Sequence, residues 1–148
     1  MERTKPLISV IMSTYREDEQ FLRKAIESIL IQTYTEFEFL IVADDPKNNE
    51  LIEILREYEK KDARIHIYIN KKNMGLANSL NALLKVAQGE FIARMDADDI
   101  SMPDRLENQI VYMRQHQADV ISCDVDVIDE NEKSAIGRSE NKKEIVCK

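Results

Sequence analysis

Three carboxylates, Asp96, Asp98 and Asp99, fall within four residues of a 148-residue chain. Hard divalent cations such as Mg²⁺ or Mn²⁺ prefer such oxygens and take one or two carboxylates together with substrate phosphates. Without a cation the three charges repel, and each raises the pKa of its neighbours. Two further polar clusters, Ser13-Thr14-Tyr15 and Asp44-Asp45, accompany the acid run. A carboxylate such as Asp45 can accept hydrogen bonds from nucleobase N–H groups or sugar hydroxyls, and the Tyr15 ring can stack on a base. A plainer account is available for each. One acid of the run could cap a following helix, Asp44-Asp45-Pro46 could be an acidic turn, and Tyr15 a partly buried surface ring. Where the clusters fall in the fold decides between these accounts.

Five segments rich in branched residues read as strands: Leu7–Met12, Phe37–Ala43, Ile65–Ile69, Phe91–Met95 and Val120–Cys123. Leu7–Met12 is a nearly continuous apolar run, as expected for a strand covered on both faces. Between the strands, apolar residues recur at helical spacing. The first stripe is Phe21, Leu22, Ala25, Ile26, Ile29 and Leu30, preceded by Glu17 and Asp18 at its positive end. Leu51, Ile52, Leu55 and Tyr58 form the second stripe, and Leu76, Leu80, Leu83, Leu84 and Ala87 the third. Asn73-Met74-Gly75 is expected to turn the chain into the third helix, and Gly89 to cap its end. Ser101-Met102-Pro103-Asp104 reads as a capped start for a fourth helix through Leu106, Ile110 and Met113.

This strict β-α alternation predicts a three-layer α/β/α domain over residues 1–130, with a mostly parallel sheet of about five strands and helices on both faces. Residues 131–148 form a polar tail without assignable periodicity. In such sheets ligands sit beyond the carboxyl ends of the strands. All three polar clusters fall at such ends, which favours the ligand-binding account over caps and turns.

Composition narrows the function classes. With 43% apolar and 33% charged residues the chain is ordinary for a globular domain. A formal charge of −7 disfavours nucleic-acid partners, which need clustered cations to displace counterions. Cys123 and Cys147 make neither a disulfide framework nor a zinc site, and are expected to be reduced thiols. No apolar run approaches the roughly 20 residues that span a bilayer, and no signal peptide is evident at Met1. A cytoplasmic domain is expected, one compatible with peripheral association at the inner face of a membrane. With glycines only at 75, 89 and 137, neither a dinucleotide-binding G-x-G-x-x-G nor a G-x-x-x-x-G-K-[ST] loop is present. A phosphatase of the haloacid dehalogenase type needs its D-x-D after an early strand, not the fourth. A calcium loop starting at Asp96 fails at Ile100 and Ser101, which supply neither a fifth-position oxygen nor a glycine.

The segments Pro6–Tyr15, Asn73–Asn81 and Gly89–Ile100 with Pro103–Gln109 resemble the signatures of the inverting family-2 glycosyltransferases of the GT-A fold. The third is similar to bacterial enzymes that build capsular, exopolysaccharide and lipopolysaccharide sugars. The resemblance covers about residues 5 to 130. It implies that Ser13 and Tyr15 contact a uridine, that Asp45 reads the uracil ring, and that Asp96 lies near the ribose. By the same resemblance Asp98 holds an Mg²⁺ or Mn²⁺ bridging both phosphates, and Asp99 lies near the metal and the donor sugar. The implied partners are a UDP-sugar donor and a saccharide or lipid-linked acceptor. The implied reaction is a single displacement at the anomeric carbon, with the metal neutralising the departing diphosphate and a carboxylate base deprotonating the acceptor. Arg16, where many members have Asn, and Pro46, where a small residue is common, depart from the pattern. The family's base lies well beyond the acid run, and Asp124, Asp126 and Asp129 come too early to match it. The expectation is therefore a nucleotide-sugar-binding part whose general base is absent from this chain. The alternative is a shortened domain that binds UDP or UDP-sugar without turnover.

Overall fold

The computed structural model describes residues 7–128 and the backbone of residues 146 and 147. The elements are β1 (Ile8–Thr14), α1 (Glu19–Leu30), β2 (Phe37–Ala43), α2 (Asn49–Lys61), β3 (Ile65–Ile69), α3 (Leu76–Leu84), β4 (Phe91–Asp96), α4 (Arg105–His116), β5 (Val120–Ile121) and β6 (Val146–Cys147). β1 to β4 form one parallel sheet in the order β3-β2-β1-β4. Every residue of β2 is buried, as are all those of β1 except Ser13, which is partly so. That burial explains why both read as unbroken apolar runs rather than as alternating ones.

The strand order fixes where the helices lie. From β1 through β2 to β3 the chain steps one way across the sheet, then returns past β1 to β4. Right-handed crossovers therefore place α3 on the face opposite α1 and α2. Accordingly Leu83, Leu80 and Ala87 pack against Ile11, Leu40 and Val42, which share one face. The alternate residues Val10, Met12, Phe39 and Ile41 are also buried, so the other face is covered as well. α1 and α2 are cross-linked there, with Tyr58 Oη donating to Glu27 at 2.6 Å and Arg23 paired with Glu57 at 3.2 Å. Asp18 and Asn48 cap these helices through the N–H groups of Gln20 and Leu51.

Three expectations are corrected. α3 ends at Leu84, so Gly89 is not its cap. Gly89 instead lies where the chain presses on β1, and a Cβ there would sit 2.4 Å from Ser9 N. Ser101 does not cap α4. It is buried, and the N–H of Leu106 bonds to the side chain of Gln32 instead. Val120–Cys123 does not add a fifth strand to the parallel sheet. Val120–Ile121 pairs antiparallel with Val146–Cys147, the described part of the tail. No helix among the described residues is long and apolar enough to cross a membrane.

Candidate functional site

The chain reverses its direction of travel across the sheet between β1 and β4, and the two strands run parallel with Ser13 opposite Asp96. At such a switch point the loops leaving adjacent strands diverge to opposite faces and open a crevice at their carboxyl ends. Ser13 and the acid run therefore form its two walls, and the end of β2, with Asp44 and Asp45, lies on the other side of β1.

After β1 the backbone turns around Glu17. Its carboxylate accepts from Thr14 Oγ1 and from the Tyr15 N–H, which sends Tyr15 and Arg16 outward. Tyr15 is exposed, and the Arg16 guanidinium lies 4.7 Å from its ring centroid. Arg16 Nε and Nη2 also approach Asp45 Oδ2, each at 3.4 Å. The pair is half open to solvent, and such exposed pairs contribute only about 0–1 kcal/mol. Arg16 thus links two residues expected at the base, a role its sequence position did not disclose.

Asp44 and Asp45 separate in function. Asp45 is partly exposed and accepts from the Lys47 N–H at 3.1 Å. Asp44 is buried, and it accepts from Asn70 Nδ2 at 2.7 Å, Met74 N–H at 2.8 Å and Gly75 N–H at 2.8 Å. Burial pushes its pKa up, but the bonds from Asn70, Met74, Gly75 and Ser79 outweigh burial and hold the carboxyl below its ordinary range. This anchor fixes the turn into α3, where Gly75 takes φ 77°. Nothing in the local sequence distinguishes Asp44 from its neighbour, since both belong to one acidic pair.

The acid run alternates like the strand that leads into it. Met95 and Ala97 are buried while Asp96 is partly exposed and Asp98 exposed. Asp96 is paired with Arg94 at 2.7 Å, and the Asp99 N–H donates to Asp96 O at 3.3 Å. The pKa of Asp99 is raised, first by desolvation and then by the charges of Asp96 and Asp98, against the opposing effect of Arg105 and Arg94. The repulsion expected among these acids is thus present at Asp99.

Among the described residues no three His, Cys, Asp or Glu side chains form a group that could hold a metal by themselves. The donor set still fits Mg²⁺ or Mn²⁺, which need only one or two carboxylates when diphosphate oxygens complete the shell. A groove of about 410 Å³ along α2, lined by Ile52, Glu53, Arg56, Glu57, Lys60 and Lys61, contains none of the expected site residues.

Comparison with known proteins bears on the family and the fold. Residues 9–146 match the model of glycosyl transferase family 2. An uncharacterized glycosyltransferase of Methanocaldococcus jannaschii is 46% identical over 131 residues, covering 88% of this chain and 45% of that protein. The O-antigen biosynthesis glycosyltransferase WbnJ of Escherichia coli is 37% identical over 129 residues, 87% of this chain and 50% of its own. The chain spans about half the length of these curated relatives. The S. aureus TarS 1-349 structure in complex with UDP-GlcNAc superposes with a TM-score of 0.67 at 28% identity, over 76% of this chain and 32% of that one.

Proposed function

The chain belongs to glycosyl transferase family 2, and from that premise we propose that it binds a UDP-sugar in the crevice between β1 and β4. The sugar is then transferred, with inversion, to a saccharide or lipid-linked acceptor in cell-surface polysaccharide synthesis on the cytoplasmic side of the membrane. The observation that carries the reading is the pairing of Ser13 with Asp96 at the point where the sheet reverses direction. It is supported by the likeness to TarS, which binds UDP-GlcNAc, and by WbnJ, which acts in O-antigen biosynthesis.

In this reading Ser13 and Tyr15 contact the uridine, and Asp45 accepts from the base N–H, which replaces the long bonds from Arg16. Asp96 lies at the ribose. Asp98 holds Mg²⁺ or Mn²⁺, which would supply positive charge to the departing diphosphate. Asp99, whose backbone N–H bonds to Asp96 O, faces the metal and the donor sugar.

Calorimetric titration of UDP with and without Mn²⁺ tests this. Mn²⁺ should tighten UDP binding at least about tenfold, equivalent to ~1.4 kcal/mol. Asp98→Ala should remove that gain. UDP affinity indifferent both to the metal and to Asp98→Ala would end the metal assignment. Incubation with UDP-sugars then separates the two outcomes for the chain alone: sustained UDP release shows turnover, whereas binding without release shows a donor-binding domain.

A further inference from the structure

The acid run is tied down at both ends, and only one tie belongs to the sheet. Upstream, Met95 is buried and Asp96 stands in register with Ser13. Downstream, residues 100–104 pass through neither helix nor strand. Ser101 is the single buried residue of that stretch, with Ile100 and Met102 exposed on either side. Ser101 lies two residues after Asp99, so whatever holds it also limits where Asp98 and Asp99 can move.

The end of α1 does the holding. The Ser101 N–H donates to Ser28 Oγ at 3.0 Å. The buried Gln32 amide places Nε2 at 3.1 Å from Ser101 Oγ, 2.7 Å from Met102 O and 3.0 Å from Ser28 O. Its Oε1 accepts from the Leu106 N–H at 3.0 Å, and the neighbouring Thr33 N–H donates to Pro103 O at 2.8 Å. One side chain therefore satisfies both a carbonyl and an amide of a segment some seventy residues away. The amide does both at once, whereas a carboxylate lacks the N–H and a hydrocarbon lacks both groups. A buried polar network with its groups satisfied is rigid.

We propose that Gln32 is a positioning residue for donor binding: by clamping residues 101–106 it holds Asp98 and Asp99 in place beside Ser13 for the metal and the diphosphate. The proposal rests on the metal role of Asp98 stated above. A purely structural anchor would lower stability and weaken every mode of UDP binding together. A positioning residue acts on the metal-dependent part alone, as the outer partners of metal ligands do, where their loss costs about 10–100-fold.

The test uses the whole chain as Gln32→Leu, Gln32→Glu and Ser28→Ala. Ser28→Ala is the smallest lesion and serves if the Gln32 variants do not fold. UDP dissociation constants are measured with and without Mn²⁺, beside urea denaturation of each apo protein. The expected result is metal-free UDP affinity within about twofold of wild type and a Mn²⁺-dependent gain reduced about tenfold or more. Gln32→Glu, which keeps the acceptor for Leu106 but has no N–H for Met102 O, should lose the gain as Gln32→Leu does. The proposal is overturned if the gain survives in these variants, or if both affinities fall together in step with stability. A wild-type protein that shows no gain from Mn²⁺ instead refutes the reading of Asp98, and the clamp's function with it.

Discussion

The two carboxylates after β2 show how unlike adjacent residues can be. Asp44→Asn keeps one acceptor oxygen but turns an N–H group toward a donor it cannot satisfy. Leaving a buried donor unpaired costs about 1–3 kcal/mol, and urea denaturation should show a loss of that size. Asp45→Asn removes only exposed contacts and should change stability by less than about 0.5 kcal/mol, while weakening UDP binding. The Asp44 carboxyl is held below its ordinary range in the folded protein. Its stabilising effect is therefore complete above the unfolded pKa of about 3.9. It is lost as pH falls through the lower folded value. The stability difference between wild type and Asp44→Asn should accordingly be constant at neutral pH and shrink below about pH 4; a difference that grows there would contradict the assignment. The sequence marks this pair as acidic and places it at a strand end, but burial separates the two residues, and burial belongs to the tertiary fold. Arg16 was legible only as a departure from the family's pattern. Its position between Tyr15 and Asp45 follows from the turn around Glu17.

Elements were legible where periodicity was strong and less so at their ends. β2 and β3 span the residues their patterns predict. α3 stops short of its predicted end because the apolar spacing continues without the helix. Ala87 still reaches the core under α3, while the Gln88 N–H turns away to Glu38 and the Gly89 N–H to Ser9 Oγ. The predicted cap at Ser101 fails for a different reason: its competitor, Gln32, is distant in sequence, and no local rule can weigh it. Gly75 and Gly89 test these distinctions. At Gly75, φ 77° and ψ 160° lie in a region essentially reserved for glycine, though no atom lies within 4 Å of an added Cβ. Gly75→Ala should cost about 1–3 kcal/mol through backbone strain. At Gly89 the conflict is spatial, since an added Cβ meets Ser9 N at 2.4 Å and the Ile8 carbonyl carbon at 2.7 Å. Gly89→Ala must displace β1 and should cost about 1–3 kcal/mol or more. Adding Ser9→Ala should not restore the lost stability, because the nearest clashes are with backbone. Thermal denaturation of the two single variants and the double variant checks both statements.

At the scale of the molecule, the parallel sheet was legible because β1 and β2, buried on both faces, leave long branched runs in the sequence. The partner of Val120–Ile121 was not, because a two-residue strand shows its propensity without showing which edge it will join. The sheet order makes a prediction about both stability and function. β1 and β2 are bonded on both sides and buried, so the amides of Val10–Met12 and Phe39–Val42 should exchange hydrogen slowest. Those of Tyr68 and Ile69, exposed on the outer strand β3, should exchange sooner. UDP with Mn²⁺ should then slow exchange around residues 13–16, 44–47 and 96–101, at the carboxyl ends of β1, β2 and β4. It should leave the opposite ends, near Leu7 and Phe91, unchanged. Protection appearing along the α2 groove or at those amino ends would contradict a site at the switch point. Protection at residues 101–106 that follows Mn²⁺ rather than UDP alone would join the Gln32 clamp to the same site. The sheet's reversal beside β1 and the buried amide at the end of α1 would then act on one acid run from two sides.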